Sequence, residues 1–367
     1  MKIAQFHLHE YALPLKRPLV IGRETHHRRH GCVIELKDET GTVCFGEVAP
    51  LGGYSDESQT DVETELRLLR SSLVGSEIPE HLEELSGGFD SWLGRYQLAP
   101  SVRFGFESAV LIMAAKLRRV SLARLLSDKP LKRVSVNALL TGDHGEVLAQ
   151  VRRGLELGYS AFKLKVGGRP VDDDIRLTRE VRDLIGPDAA LRLDANRRWT
   201  RHEFNQFAHE VRGIGIDYIE EPISDISLLH RLTDIEDTEA PLALDESLRM
   251  ISPDELHQWP GVKAIVLKPT QLGLERAVRS ARAATRLGIT SVFSSSYESS
   301  LGLTIIAHIA AAYSATDTPT GLDTVGVFQE DLLTPSLTIK GGQVVIDELP
   351  DVVQSINRDR FKEITDA

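Results

Sequence analysis

Apolar positions in the first fifty residues recur at every second place. "IAQFHLHEYAL" (3–13) alternates in this way, and "CVIELKDETGTVCFGEVAP" (32–50) reads as two strands joined at the turn signal Asp38-Glu39-Thr40-Gly41. The stretch between them, "KRPLVIGRETHHRRHG", is polar and reads as a loop. Its His26, His27 and His30 lie in an Arg-rich, flexible context that makes a poor metal cage, so a solvated loop is the preferred reading. Arg23, Arg28 and Arg29 suit that loop to a mobile basic lid over an anionic substrate.

From Ser55 the period becomes helical. "SDESQTDVETELRLLRSSLV" opens on acids and closes on bases, as a helix dipole favours. A second helix, "PSVRFGFESAVLIMAAKLRR", carries an apolar stripe through Phe104, Ala109, Leu111 and Ala115. Residues 1–130 therefore predict an α+β domain. Beyond it, eight short apolar segments recur, each ending in polar residues and followed by a helical stretch: "VSVNALLTG", "AFKLKVGG", "ALRLDANRRW", "DYIEEPI", "PLALDES", "AIVLKPTQLG", "TSVFSSSYES" and "TGLDTVG". With Lys165, Asp194, Glu220, Asp245, Lys268 and Ser294 as markers, the gaps are 29, 26, 25, 23 and 26 residues. That is the length of a βα unit, and about eight in series predicts a (β/α)₈-type barrel over residues 131–324. A doubly wound open sheet is the weaker alternative, because no Gly-rich phosphate turn follows the first strand. The tail, 325–367, ends in β-type alternation and is expected to return to the first domain.

Composition narrows the function. The 367 residues are 41% hydrophobic and 26% charged, an ordinary globular balance. Forty-three Lys and Arg against 54 Asp and Glu give a net charge of -11, which argues against a nucleic-acid partner but not against a small anion held in a local field. Cys32 and Cys44 are the only cysteines, too few for a disulfide framework. No apolar run approaches the roughly 18 residues of a membrane span, so a cytoplasmic protein without a membrane partner is expected.

The chemistry lies at the strand ends. In a parallel barrel these converge on one mouth, so Lys163, Lys165, Asp194, Asn196, Glu220, Asp245 and Lys268 are brought together. Asp194, Glu220 and Asp245 on successive strands suit a hard divalent cation, Mg²⁺ or alternatively Mn²⁺. Taken singly, each acid is better read as a helix N-cap; three in a row between lysines favour the metal. Lys163 and Lys165 point the same way from one strand, an arrangement whose repulsion favours one neutral amine and hence a base. Lys268, four strands further round, can face Lys165 across a bound carboxylate, a geometry for removing the proton next to it.

"KLK", "LDAN", "IEEP", "LDES" and "LKP", in this order and spacing, resemble the enolase superfamily and its muconate-lactonising-enzyme-like group. Within that group, "LRLDANRRWT", "ALDESLR", "VLKPTQLG", "SVFSSSYESSLGLT" and "GLDT" are similar to the o-succinylbenzoate synthases of proteobacterial type. The resemblance implies an α/β fold, a (β/α)₇β modified TIM barrel under an α+β N-terminal capping domain that the C-terminal residues complete. It implies a Mg²⁺-dependent dehydratase acting on a small carboxylate in menaquinone biosynthesis, with an N-acylamino acid racemase or dipeptide epimerase as the alternative. By position it assigns metal ligation to Asp194, Glu220 and Asp245, acid/base chemistry to Lys165 and Lys268, and substrate contacts to Lys163, Arg192, Asn196, Ser294, Ser295 and Ser296. A structural ion-pair network in a non-catalytic binding protein is the reading from another class.

Overall fold

A computed structural model describes residues 1–233, 240–316 and 318–365. Three antiparallel strands, β1 (Ile3–Ile21), β2 (Glu24–Asp38) and β3 (Val43–Val48), open the chain. The expected loop between β1 and β2 is instead a continuation of both strands, paired as far as Ile21↔Glu24 and turned over Gly22 at φ +58°. The polar residues there mislead because a two-stranded projection is solvated on both sides and needs no apolar alternation. Arg29, placed in the expected mobile lid, is 2% exposed and donates to Ala49 O at 2.6 Å and Tyr297 O at 3.1 Å.

Helices Gln59–Leu73 and Pro100–Leu117 pack on this sheet. The first starts at a reciprocal cap between Ser58 and Asp61. The second is buried on nearly every side and not along one stripe, because the sheet, the first helix and the barrel all lie against it. Gly46 of β3 and Gly105 of this helix touch so closely that a Cβ on Gly46 would stand 1.9 Å from Gly105 O.

The second layer is a parallel seven-stranded sheet in sequential order: β5 (Ala138–Leu140), β6 (Ala161–Lys165), β7 (Ala190–Asp194), β8 (Tyr218–Glu220), β9 (Leu242–Leu244), β10 (Val262–Leu267) and β11 (Thr290–Phe293). An eighth position is filled by Thr320 and Gly321, bridged to Val136 on one side and Ser294 on the other, which closes the curled sheet as a (β/α)₇β barrel. Two 3₁₀ turns, Glu246–Arg249 and Pro253–Gln258, replace a helix between β9 and β10. Tyr218, Ala243, Ala264, Val266 and Val292 form one buried cluster, and all lie on the strand faces shared with the mouth residues, filling the barrel interior beneath them.

The C-terminal segment touches both layers. β4 (Arg133–Ser135) pairs with β12 (Gln343–Val345), whereas β13 (Phe361–Glu363) adds to β1. Beside β13, Arg358 grips Glu35 of β2 with two bonds of 2.9 and 2.7 Å, and His9 lies 3.0 Å from the same carboxylate. Burial opposes ionisation of Glu35, but His9 and Arg358 outweigh it and hold the carboxyl at about 2, below an ordinary 4.5. A carboxyl depressed on folding stabilises above its unfolded value and loses that contribution as pH falls towards its folded value. The melting-temperature gap between the protein and Glu35→Gln is therefore expected to be full at neutral pH and to narrow between 4.5 and 2. A gap that stays constant through that window contradicts the assignment.

Candidate active site

Register decides who meets whom. Lys165 lies opposite Asp194, and Asp194 opposite Glu220, in adjacent parallel strands. Phe162, the residue before Lys163, lies on the helix side against Gly154, so Lys163 and Lys165 face the barrel interior. β6 has neighbours on both sides, so the lysine pair cannot serve as edge protection. None of the three acids caps a helix through its side chain. Thr200 caps the helix after β7, Asp225 bonds the amides opening the helix after β8, and Asp245 makes no cap bond.

The three lysines have distinct surroundings. Lys163 Nζ sits 2.8 Å from Asp194 Oδ2 and 2.9 Å from Glu220 Oε1, its side chain 8% exposed. Burial alone would lower its pKa, yet Asp194 and Glu220 outweigh that and hold it charged. Repulsion within the lysine pair is thus not what sets the charge of Lys163. Lys165 Nζ bonds Asp194 Oδ2 at 2.6 Å and Asn196 Oδ1 at 2.7 Å, and at 30% exposure it is the lysine most open to the mouth. Lys268, at the end of β10, pairs with Asp245 Oδ2 and the Tyr54 hydroxyl.

The acids are short of compensating charge. Three ammonium groups face Asp194, Glu220, Asp245 and Glu246, all buried or nearly so. Glu220 is pushed up by burial and then by Asp194, because Lys163 cannot neutralise both neighbours. Its Oε2 lies 2.7 Å from Lys163 Nζ but accepts no well-directed hydrogen bond. Glu246 is raised to about 7 by burial and by Asp245. With the lysine ammoniums set against these acids, no three acid, His or Cys side chains among the described residues form a ready cation cage. The donor chemistry nevertheless fits a hard divalent cation: buried carboxylate oxygens on three neighbouring strands, one of them accepting no well-directed hydrogen bond.

The remaining expected residues divide. Asn196, at φ +43°, takes its amide to Asp194 Oδ1 and its Nδ2 to Glu246 Oε1, linking two strand ends. Arg192 lies one layer deeper, where it donates to Pro319 O at 2.6 Å and stacks 5.2 Å over Tyr218. Ser295 spends its hydroxyl on Gly321 O and Thr324, Ser294 reaches Gly321 O at 3.3 Å, and the buried Ser296 Oγ has no partner.

Sequence reasoning gave no role to two residues. Tyr54, from the segment after β3, reaches Asp245 Oδ2 at 3.0 Å, and with Asp245, Glu246, Arg249, Lys268 and Gln271 it lines a cavity of ≈ 10 Å³. Nothing local marks it, since its partners lie about two hundred positions away. Glu221, the second acid of "IEEP", is fully buried at φ +42° and accepts from Asp245 N, Ser247 N, Ser247 Oγ and Arg197 Nε at 2.7–2.9 Å. It fixes the backbone that presents Asp245. A doubled acid at a strand end was the available signal.

Two family models match: "Enolase C-terminal domain-like" over residues 146–351 and "MenC, N-terminal domain" over 3–113. An o-succinylbenzoate synthase of Aliivibrio salmonicida is 32% identical over 343 residues, 91% of this chain and 94% of that one. The chain belongs to the o-succinylbenzoate synthase family. Its place in the enolase superfamily agrees with a solved muconate lactonizing enzyme of Pseudomonas fluorescens, TM-score 0.86 over 98% of both chains at 23% identity, a likeness of fold. Protein PHYLLO of Arabidopsis thaliana is 35% identical over 78% of this chain, which spans only 18% of that much longer protein. As a member of the o-succinylbenzoate synthase family the protein is an enzyme of the lyase class.

Removing the Glu221 carboxylate leaves two buried amides and the Arg197 guanidinium without their acceptor. Glu221→Ala is expected to lower unfolding free energy by at least about 2 kcal/mol, read from urea denaturation. A loss under about 0.5 kcal/mol, the range of ordinary surface changes, contradicts this role.

Proposed function

We propose that the protein catalyses the syn dehydration of 2-succinyl-6-hydroxy-2,4-cyclohexadiene-1-carboxylate to o-succinylbenzoate, a step of menaquinone biosynthesis. The observation that carries this reading is the near full-length relation to o-succinylbenzoate synthases, with a lysine and carboxylate mouth at the barrel's strand ends. Residues 1–130 with 325–367 act as the cap and 131–324 as the barrel. Superfamily members generally use Mg²⁺, and Asp194, Glu220 and Asp245 would hold it here. Bound there, the ion would supply positive charge beside the substrate carboxylate.

Lys165 is the base, since it is the lysine open to the mouth and is oriented by Asp194 and Asn196. It takes the proton from C1, and the electron pair enters the adjacent carboxylate. Collapse of the enediolate forms the aromatic bond and expels the C6 hydroxide, which the Lys165 ammonium protonates to water. Lys268 remains a fixed cation beside the developing charge. Lys163 sets the orientation of Asp194 and Glu220 and, with Arg192, Asn196 and Ser294 to Ser296, shapes the substrate's surroundings. Aromatisation supplies the driving force, so the site chiefly orients and stabilises. The racemase or epimerase alternative draws only on a shared fold.

Ultraviolet absorbance of the cyclohexadiene substrate tests the proposal. Loss of the diene is expected with Mg²⁺ and not after chelation, and Lys165→Ala should lower kcat by at least about 10³-fold while leaving the circular dichroism spectrum intact. Turnover retained in Lys165→Ala, or indifferent to chelation, contradicts it.

A further inference from the structure

Of Arg23, Arg28 and Arg29 in the β1–β2 hairpin, only Arg29 is enclosed. Its Nε donates to Tyr297 O at 3.1 Å, its Nη1 to His30 O at 3.0 Å and to Pro50 O, and its Nη2 to Ala49 O at 2.6 Å and Ser296 O at 3.4 Å. Carbonyls of the cap and of the barrel thus converge on one guanidinium. Arginine has the planar fork of five donors that such a set requires, whereas lysine has three donors on a single nitrogen.

The barrel carbonyls belong to a turn at the mouth. It follows β11, and Ser294 N donates to Leu267 O at 2.8 Å, which places the turn beside the end of β10. A planar trans peptide sets its N–H opposite its C=O. Holding Ser296 O and Tyr297 O on Arg29 therefore turns the N–H groups of Tyr297 and Glu298 away from the guanidinium. Tyr297 takes φ +61°, a left-handed conformation that a tyrosine keeps only where its surroundings enforce it. In the same turn the Ser296 hydroxyl is buried without a partner. Glu298 Oε2 accepts from Ser296 N at 2.6 Å, and Arg29 is a cation facing this buried carboxylate. A ligand carboxylate at the turn would meet Glu298 without that compensation if the guanidinium were removed.

We propose that Arg29 is a positioning residue for the second carboxylate of the substrate, the one at the end of the succinyl chain. It fixes the Ser296–Tyr297 turn against the cap, so that the Ser296 hydroxyl and the amides after it are presented to that group. This rests on the proposed function and concerns recognition of the chain, not proton transfer. Arg29 acts through the turn, so its effect falls on the chain carboxylate and not on the ring carboxylate at the strand ends.

The probes are o-succinylbenzoate and o-butanoylbenzoate, in which a methyl group replaces the chain carboxylate, titrated by calorimetry into the Mg²⁺-loaded protein. For the unaltered protein the methyl compound is expected to bind at least about tenfold more weakly, the scale of a hydrogen bond to a charged group. In Arg29→Lys and Arg29→Met that gap should shrink below about threefold, with the loss falling on o-succinylbenzoate alone. A ratio of two dissociation constants does not depend on the fraction folded, so a destabilised variant still reports. Ser296→Ala leaves the Arg29 bonds in place and should narrow the gap as well. In turnover of the cyclohexadiene, Arg29→Lys should raise KM at least about tenfold with kcat held within about threefold. No gap in the unaltered protein, a gap that persists in the Arg29 variants or in Ser296→Ala, equal weakening of both probes, or a kcat loss at unchanged KM overturns the proposal. Failure of the unaltered protein to dehydrate the cyclohexadiene counts against the proposed function. Dehydration with an unchanged gap in Arg29→Lys counts against Arg29 alone.

Discussion

One ammonium shared by two buried carboxylates is the interaction on which the rest of this molecule depends. Lys163 lies between Asp194 and Glu220 with almost no solvent around any of the three. Taking such charges out of water costs several kcal/mol each, and breaking a buried pair by removing one partner costs about 3–5 kcal/mol. The arrangement holds only if three strands keep register, because a slip of one residue would send Lys163 to the helix side of the barrel and leave the acids alone. The parallel sheet, the closure through Thr320 and Gly321, and the packed interior layer below all serve that register.

The cap is joined to the barrel by buried polar groups as well as by apolar packing. Glu47, at the end of the cap sheet, accepts from Ser299 N, Ser299 Oγ and Gly302 N, and so caps the barrel helix Ser300–Tyr313; Tyr11 donates to its other side at 2.6 Å. Glu275 of the helix Leu274–Leu287 returns the arrangement, accepting from Gly87 N and Asp90 N of the cap-side segment. Such bonds are directional, so they fix the cap in one pose where apolar contact alone would allow sliding. Arg29, bonded to carbonyls of both the cap and the Ser296–Tyr297 turn, works the same way next to the mouth. Charge placed at this seam is geometric in its effect.

What could be read in the sequence was whatever repeats or pairs over short range. The 23- to 29-residue recurrence of charged strand ends reports a βα unit, and "KLK" reports two side chains on one strand face. The barrel class and the meeting of Lys163, Lys165, Asp194 and Glu220 follow from these, and the register bears them out. The long β1–β2 hairpin did not follow, because its outer half is wet on both faces and loses the alternation that marks a strand. Tyr54 and Arg29 did not follow either. Their partners, Asp245 with Lys268 and Ser296 with Tyr297, become neighbours only once the cap is seated. Glu221 was visible as a doubled acid, but that it binds backbone amides is a fact of its left-handed φ, which no residue pattern reveals for a glutamate.

The three lysines show why residue type underdetermines chemistry at this mouth. All three are primary amines within reach of the same few carboxylates, yet their surroundings differ. Lys163 is enclosed by two acids and has no open direction towards a substrate. Lys268 is divided between an acid and a phenol whose ring lies over it. Lys165 makes its two bonds to one neighbouring strand end and keeps a side open. A proton-transfer role needs contact with the substrate, whereas charge stabilisation and ligand orientation need only proximity. Burial thus sets the three lysines apart, and Tyr54, from the cap, lies against the most enclosed side of Lys268.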